Sequence, residues 1–411
     1  MSSSRSSPGE PATGSAPDVT SPDPIERIAY LLGPSDGTGV FAPAGDRWRL
    51  PARDTPRAIV WGRSPLPSGT RRASALRAVF ARERALGAAR RGRGARVHRI
   101  PPQTLGGSGG RNALRSMLLG GAVVELPLAG PRPRVLDAAV HVAGVRLSEG
   151  PLHLSSSGSI LARVRAGDGA AVLRVGVAGA PGDPARGAAA LAHLSPHNIP
   201  VPRLLATGEA AGASWSLETA LPGRRPGGGS AQVSRDAAAL CAALPPGNGP
   251  PAAPRRDLEA LAALLPERAD ALRALAHSLR GTLRALPSVL RHGDLWVGNL
   301  LVDGGRLSGV VDWDAWDPGA VPGADLLHLH ATGRRIAERC ELGEIWESHP
   351  WRDEAYRSLL DGASATIPGD VLAIAWWAGE LRGTVSRHPS RAADERWLAI
   401  NVDGVLRTLR P

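Results

Sequence analysis

Apolar and polar positions change their spacing along the chain, and each spacing predicts a different element. Two apolar runs, at residues 160–165 and 171–175, flank a Gly-Asp-Gly turn, which is typical of a β-hairpin. Helical spacing follows at 185–194, residues 199–206 lead into a strand, and residues 215–219 form a further apolar strand. A hairpin, a helix and strands in this order predict a small sheet-rich lobe.

Downstream of this lobe the spacing is mainly helical. A Gly- and Pro-rich stretch between residues 223 and 256 contains one Ala-rich helical segment, and helical spacing continues over residues 258–290. Residues 291–329 interrupt it with a loop and two short apolar strands. The rest of the chain is again helical in pattern, which predicts a second, mostly helical lobe.

Upstream of residue 150, the spacing of apolar residues is less regular. Residues 1–24 are rich in Ser, Pro, Gly and Thr, with too few apolar anchors to offset the entropy of ordering, so we expect a disordered tail. Residues 25–149 alternate short elements and predict a small α/β module of unknown role. Its expected strands are at residues 58–61, 97–100 and 122–126, and its expected helices at 73–89, 112–119 and 135–142.

The basic charge of the chain does little to identify a partner. The formal net charge is +11, and all 49 residues of the Lys and Arg class are Arg, beside 50 Gly and 37 Pro. This skew is typical of GC-rich codon usage. Arginines crowded between residues 71 and 99 could meet phosphate groups, but a solvated helix face is the simpler interpretation. Nucleic-acid binding is therefore a minor alternative.

No targeting or membrane segment stands out in the sequence. No apolar run approaches the roughly eighteen residues of a membrane span, and the N-terminus lacks the apolar core of a signal peptide. Only Cys241 and Cys340 are present, too few for a disulfide framework. We expect a cytoplasmic protein without a membrane partner, in which both thiols are inert.

The strongest chemical signal begins near residue 289. His292, Asp294 and Asn299 follow the order His-x-Asp-x-x-x-x-Asn of a kinase catalytic loop. An apolar strand, a turn at residues 303–305 and a second apolar strand come next, and Asp312 ends the second strand. Since a hairpin returns the chain to its starting edge, Asp312 should lie beside Asn299.

These residue types suit phosphoryl transfer, which needs a carboxylate to orient a hydroxyl and oxygen ligands to hold Mg²⁺ on the phosphates. Asp294 could instead cap a turn, and Asp312 could simply close a strand. The combination of the loop, the hairpin acid and a further Asp325-Leu-Leu string makes chance agreement a weak explanation.

Residues 291–329 resemble the catalytic segment of the aminoglycoside phosphotransferase and choline kinase family, whose members share the protein-kinase fold. The family pattern is His-Gly-Asp-x-x-x-x-Asn-Leu-Leu-Val-Asp, then Val-Ile-Asp-Trp-Glu, then Asp-Leu-Ala. The resemblance implies a base role for Asp294, with His292 bracing the loop. It also implies magnesium ligation by Asn299 and Asp312, and structural support of the loop by Asp325.

A weaker resemblance extends back to about residue 150. The serine-rich turn containing Ser156, Ser157 and Gly158 stands where the nucleotide-covering turn of the family belongs. Residues 215–223, which include Glu218, resemble the strand and hinge that receive the adenine. These four residues are therefore expected to contact the nucleotide.

The chain departs from the family at the phosphate clamp. Arg174 occupies the third-strand position at which many kinases have Lys, and arginine keeps the charge while adding a fork for phosphate. The following helix has Gly187 where the family places the glutamate that pairs with this cation. The usual ion pair is therefore expected to be absent.

The resemblance implies an α+β, bilobal, protein-kinase-like fold, with an N-lobe at residues 150–223 and a C-lobe at 224–411. It implies an enzyme that uses ATP or GTP and Mg²⁺ to phosphorylate a hydroxyl of a small molecule, such as an aminoglycoside, a sugar or an amino alcohol. The alternative is a pseudokinase that binds nucleotide with little catalysis. The sequence leaves the acceptor and the oligomeric state open.

Overall fold

The structure is a computed structural model that describes residues 135–148, 152–155, 157–167, 169–227, 230–360, 367–387 and 389–409, with Arg27, Leu31 and strands between residues 38 and 125. The expected tail at 1–24, the strand at 58–61 and the helix at 112–119 lie outside the described residues. The helix predicted at 73–89 is wrong at its first residue, Ala73, which belongs to a strand, and its other residues lie outside the described part of the chain.

Six strands of the N-terminal region form two antiparallel three-stranded sheets, in the orders β1-β6-β5 and β2-β3-β4. Val97 pairs with Val124, so the strands predicted at 97–100 and 122–126 are confirmed. The strands are β1 Thr38–Phe41, β2 Pro43–Ala44, β3 Arg47–Pro51, β4 Thr70–Ala73, β5 Arg96–Ile100 and β6 Gly121–Glu125.

A larger antiparallel sheet follows, with strand order β11-β12-β10-β9-β7 and β8 paired to β9. Its central strand β10 is buried over its last five residues, as a strand covered on both faces must be. The predicted hairpin and strands are confirmed. The strands are β7 Arg146–Leu147, β8 His153–Leu154, β9 Ile160–Ala166, β10 Gly169–Val177, β11 Leu204–Ala210 and β12 Ala213–Thr219.

Two helices flank this sheet. Helix α1, Val135–Val142, packs its apolar face on β10, β11 and β12, and Leu31 joins the same core. Because α1 and β7 belong to this core, the sheet lobe begins upstream of residue 150, inside the range expected for the N-terminal module. Helix α2, Pro184–Leu194, has Asp183 as its N-cap and Pro at its start, two residue types that favour helix initiation.

The remainder is mostly helical, which confirms the predicted α+β architecture of a sheet lobe followed by a helical lobe. The helical prediction for 258–290 is right for most of this range, but the helices end at Arg284 and residues 289–291 form a strand. The helices are α3 Ala231–Ala243, α4 Ala253–Leu264, α5 Ala269–Ser278, α6 Arg280–Arg284, α7 Ala324–Glu338, α8 Leu342–Glu347, α9 Glu354–Leu360, α10 Gly369–Arg387, α11 Glu395–Leu398 and α12 Gly404–Thr408.

Two short antiparallel strand pairs interrupt the helices and flank the loops at residues 292–299 and 311–316. Strand β13, Val289–Arg291, pairs with β16, Asp317–Ala320. Strand β14, Leu300–Asp303, pairs with β15, Arg306–Val310. These four strands place residues 292–299 and 311–316 side by side, at the edge of the helical lobe.

The helical lobe is built around tryptophans from several helices. Five of them are buried, as expected for core rather than ligand-stacking residues: Trp346, Trp351, Trp376, Trp377 and Trp397. The two cysteines are free thiols that pack against this core from partly buried positions. Among the helices that the structure describes, none is both long and apolar enough to cross a lipid bilayer.

Candidate active site

The loop after β13 is held in one shape by an acid from the following helix. Asp325, in the first turn of α7, accepts backbone hydrogen bonds from His292 at 2.6 Å and from Gly293 at 2.9 Å. Gly293 has a φ of +83°, and a Cβ at this position would overlap the carbonyl oxygen of Ala315. Glycine is therefore required here, and the loop backbone is fixed by a carboxylate distant in sequence.

The buried imidazole of His292 braces the same loop from inside. Its Nδ1 accepts the backbone N–H of Asp294 at 3.2 Å, and its Nε2 lies 3.0 Å from the carbonyl oxygen of Val311. The acceptor role of Nδ1 assigns the proton to Nε2, which then donates to that carbonyl. Trp313 packs on the ring, with 4.5 Å between centroids. Both ring nitrogens make hydrogen bonds to the backbone, which favours a structural role for His292 over proton transfer.

Asp294 is the carboxylate of this loop that reaches solvent, with 33% of its side chain exposed. The amide of Asn299 donates from Nδ2 to the Asp294 carboxylate at 3.1 Å and to its backbone carbonyl at 2.9 Å. The short 3-10 turn Val297–Asn299 brings the amide back across the loop. Because Nδ2 faces Asp294, the amide oxygen is the Asn299 atom that can face a cation.

A second histidine, absent from the sequence prediction, lies behind Asp294. His328 is buried on α7, with Nε2 3.5 Å from Asp294 Oδ1 and Nδ1 2.9 Å from Glu380 Oε1. Burial opposes the imidazolium, but Glu380 and Asp294 outweigh it and raise the pKa of His328 to about 10. The only sequence signal was a polar residue within an apolar helical run. His328 therefore connects the exposed carboxylate to helix α10.

The hairpin after the loop delivers another acid. Leu300 pairs with Val310, and the N–H of Val311 donates to the carbonyl oxygen of Asn299 at 3.0 Å. This confirms the predicted hairpin and places Asp312 directly after the residue bonded to Asn299. Asp312 has a φ of +70°, a left-handed conformation that is unfavourable for non-glycine residues and concentrates at functional sites. Its side chain is 48% exposed.

Arg174, on the central strand β10, is buried among three carboxylates. Its Nη2 lies 3.0 Å from Asp312 Oδ1 and 2.5 Å from Asp314 Oδ2, and its Nη1 lies 4.0 Å from Glu218 Oε1. Burial disfavours the guanidinium charge, yet the acids outweigh it and raise the pKa of Arg174 above its ordinary value. One guanidinium is thus shared among three acidic side chains.

The three acids respond differently to burial and to the guanidinium. Burial raises the pKa of Asp314 to about 7, although Arg174 opposes the shift. Burial also raises the pKa of Glu218, which accepts a hydrogen bond from the Ser216 hydroxyl at 2.9 Å. For Asp312, desolvation also opposes the charge, but Arg174 and the other basic groups nearby together outweigh it and lower the pKa. Asp312 is therefore the acid of this cluster that best retains its charge.

The serine-rich turn leads into β9. The hydroxyl of Ser155 lies 2.8 Å from that of Ser157, and Gly158 has a φ of +87°. Arg27 donates to the carbonyl oxygen of Ser157 at 3.0 Å, so the N-terminal region contacts this turn. Ser156 lies outside the described residues.

Most of the residues singled out in the sequence converge here. Loop and hairpin bring Asp294, Asn299 and Asp312 together, and Arg174 reaches Asp312 from the sheet lobe. Glu218, expected at the adenine hinge, is buried and lies 4.0 Å from Arg174 Nη1. The sequence prediction did not include His328 or Asp314. Asp314 stands two residues after Asp312, where the family pattern has Glu, so an acid at this position could have been recognised from the sequence.

Comparisons with known proteins bear on the same segment. Residues 156–356 match a family model described as the phosphotransferase enzyme family. Aminoglycoside phosphotransferase APH(3'')-Id from Streptomyces rimosus ATCC10970 is 21% identical, over 60% of this chain and 96% of that chain, with a TM-score of 0.40. Macrolide 2'-phosphotransferase MphH from Brachybacterium faecium is 20% identical, over 64% of this chain and 95% of that chain, with a TM-score of 0.41.

A putative fructosamine-3-kinase from Haemophilus somnus 129PT is 14% identical, over 64% of this chain and 94% of that chain, with a TM-score of 0.46. No curated protein matches the chain.

Proposed function

We propose that this chain transfers the γ-phosphoryl group of ATP or GTP to a hydroxyl of a small molecule, because residues 156–356 match the model of the phosphotransferase enzyme family. The observation that carries the proposal is the pairing of Asp294 with Asn299 on a loop braced by Asp325. Such a loop presents one carboxylate to solvent in a fixed direction. We place the activity in the cytoplasm, where nucleoside triphosphates are supplied.

Asp294 acts as the base. The acceptor oxygen attacks the γ-phosphorus, the bond from that phosphorus to the β–γ bridging oxygen breaks, and the hydroxyl proton passes to the Asp294 carboxylate. In a loose transition state the proton moves late, so Asp294 contributes mainly by orienting the hydroxyl. The Asn299 amide at 3.1 Å and His328 at 3.5 Å hold the two carboxylate oxygens from opposite sides, which restricts their rotation.

The donor set fits Mg²⁺. Among the described residues, no group of three or more His, Cys, Asp and Glu side chains forms a closed metal cluster. Mg²⁺ does not require one, because it is commonly bound by one or two protein oxygens together with phosphate and water. The Asp312 carboxylate and the Asn299 amide oxygen would hold the ion. When bound, it neutralises charge on the β- and γ-phosphates.

Arg174 is the phosphate clamp of this proposal. Among the described residues of the sheet lobe, Arg174 is the cation that lies next to Asp312. A guanidinium can form two parallel hydrogen bonds to phosphate oxygens. The Nη2 of Arg174 is shared by two carboxylates. Phosphate binding therefore competes with the contact to Asp312.

The test is nucleotide-dependent turnover with a panel of hydroxyl compounds that includes aminoglycosides, sugars and amino alcohols. Radiolabelled γ-phosphate from ATP or GTP should appear on at least one compound, in a reaction that requires Mg²⁺. The Asp294→Asn variant should bind nucleotide but transfer little label. Nucleotide binding without transfer to any compound would instead favour the pseudokinase alternative.

A further inference from the structure

The sheet lobe lacks an acid where a kinase-type helix carries one. In protein kinases, the phosphate-binding cation of the third strand is positioned by a glutamate on the next helix. The corresponding residue here is Gly187, within α2, and it has no side chain with which to reach Arg174. A buried guanidinium without a partner is strongly destabilising, so another residue must hold it.

Asp314, which belongs to the helical lobe, supplies the carboxylate for Arg174. It lies on the 3-10 turn Trp313–Ala315, which packs directly against α2. Its Oδ2 is 2.5 Å from Arg174 Nη2, compared with 3.0 Å from the same nitrogen to Asp312. Among the three acids that surround the guanidinium, Asp314 therefore makes the shortest contact.

Gly187 provides the space for this carboxylate. A Cβ at Gly187 would come within 2.5 Å of Asp314 Oδ1 and within 3.5 Å of Arg174 Nη1. Gly187 is not among the glycines with positive φ, so its backbone conformation does not require glycine. In a helix interior glycine is destabilising relative to alanine. The steric contact with Asp314 gives a reason for its presence.

We propose that Asp314 is the positioning residue for Arg174, in place of the helix acid of kinase-type sites, and that Gly187 is the residue that admits it. The inference rests on the proposed function, in which Arg174 holds nucleotide phosphates. The two carboxylates on Nη2 then have different tasks. Asp312 can turn to a metal ion, whereas Asp314 keeps the guanidinium in place.

The first test uses Mg-ADP binding by calorimetry, which needs no acceptor. Asp314→Asn keeps the shape of the side chain and removes its charge. We expect a loss of affinity of about tenfold or more, because charge-assisted hydrogen bonds are roughly twice as strong as neutral ones. The control is Asp303→Asn, an exposed acid at the end of strand β14, which should bind Mg-ADP as the parent does.

The second test moves the carboxylate back to the helix. Asp314→Ala should weaken Mg-ADP binding, and Gly187→Glu alone should also weaken it, because the new side chain collides with Asp314. The double variant Gly187→Glu/Asp314→Ala removes the collision and restores an acid beside Arg174. We expect it to bind Mg-ADP more tightly than either single variant.

The outcomes separate the inference from the proposed function. If the parent chain fails to bind Mg-ADP, the proposed function fails, and this inference fails with it. If the parent binds and Asp314→Asn binds equally well, only the assignment of Asp314 is overturned. A double variant no better than Asp314→Ala would also overturn it, since a positioning carboxylate should act from either side. Thermal unfolding of each variant separates lost binding from lost folding.

Discussion

His328 gives the sharpest quantitative prediction, because its charge is set by two carboxylates that the fold brings to it. The perturbation is His328→Gln, which keeps a polar side chain and removes the imidazolium between Asp294 and Glu380. His328 is buried, and its contact with Glu380 is 2.9 Å. Replacing it should therefore change how the free energy of unfolding depends on pH.

The sign follows from the raised pKa. The pKa of His328 is about 10 in the folded chain, compared with an ordinary value of 6.5. Its stabilisation is thus complete below pH 6.5 and is lost as the pH rises through about 10. Between these values the folded chain holds one proton more than the unfolded chain, and the loss is about 1.4 kcal/mol per pH unit. From pH 7.5 to 9.5 it amounts to about 2–3 kcal/mol.

The assay is chemical denaturation at pH 7.5 and 9.5, followed by the fluorescence of the buried tryptophans of the helical lobe. The parent should lose about 2–3 kcal/mol more of its unfolding free energy than His328→Gln over this range. The control is His277→Gln, an exposed histidine on α5, whose variant should follow the parent. If the parent and His328→Gln lose stability in parallel, His328 does not carry the proposed charge.

Four further predictions concern the proposed reaction. Asp294→Asn should lower kcat roughly a hundredfold, the scale of losing a positioned base, with nearly unchanged ATP affinity and thermal stability; an unfolded variant would make Asp294 a structural cap. Asp312→Asn should fold but lose Mg²⁺-dependent nucleotide binding, because an amide lacks the charge that a divalent ion requires; calorimetry with and without Mg²⁺ measures this, and equal Mg-ATP affinity would remove Asp312 from the site. Arg174→Ala should weaken ATP binding, whereas Arg174→Lys should preserve activity, since Nη2 alone contacts both acids and one ammonium can replace it; an alanine variant that binds ATP normally would refute the clamp. Asp325→Asn should destabilise the chain by about 1–3 kcal/mol, because the amide nitrogen would face a backbone N–H that now donates to a carboxylate; a thermal unfolding midpoint equal to that of the parent would contradict this.

The sequence alone determined the local parts of this protein. The strands at 160–166 and 169–177 pair around a tight turn, and their register follows from alternation within a few residues. The same holds for the hairpin that joins Asn299 to Asp312, in which the paired residues are near neighbours along the chain. Local contacts of this kind depend on turn chemistry and periodicity, and both can be read directly from the sequence.

The predicted element boundaries were wrong where tertiary packing outweighed the local spacing of apolar residues. Residues 289 and 290 continue a helical spacing, yet they form a strand because β16 lies beside them. Helix α1 was predicted correctly, but its packing on the sheet lobe was not, since an apolar helix face does not reveal which surface it will cover.

Only the tertiary structure decided the electrostatics of the site. Arg174 and Asp314 are 140 positions apart, and His328 meets Asp294 and Glu380 from a different helix. Such partners come from elements distant in sequence, and no spacing rule connects them. The sequence showed an arginine and a glycine where a lysine and a glutamate are usual; the fold shows that a third residue, Asp314, fills the space left by the glycine and pairs with the arginine.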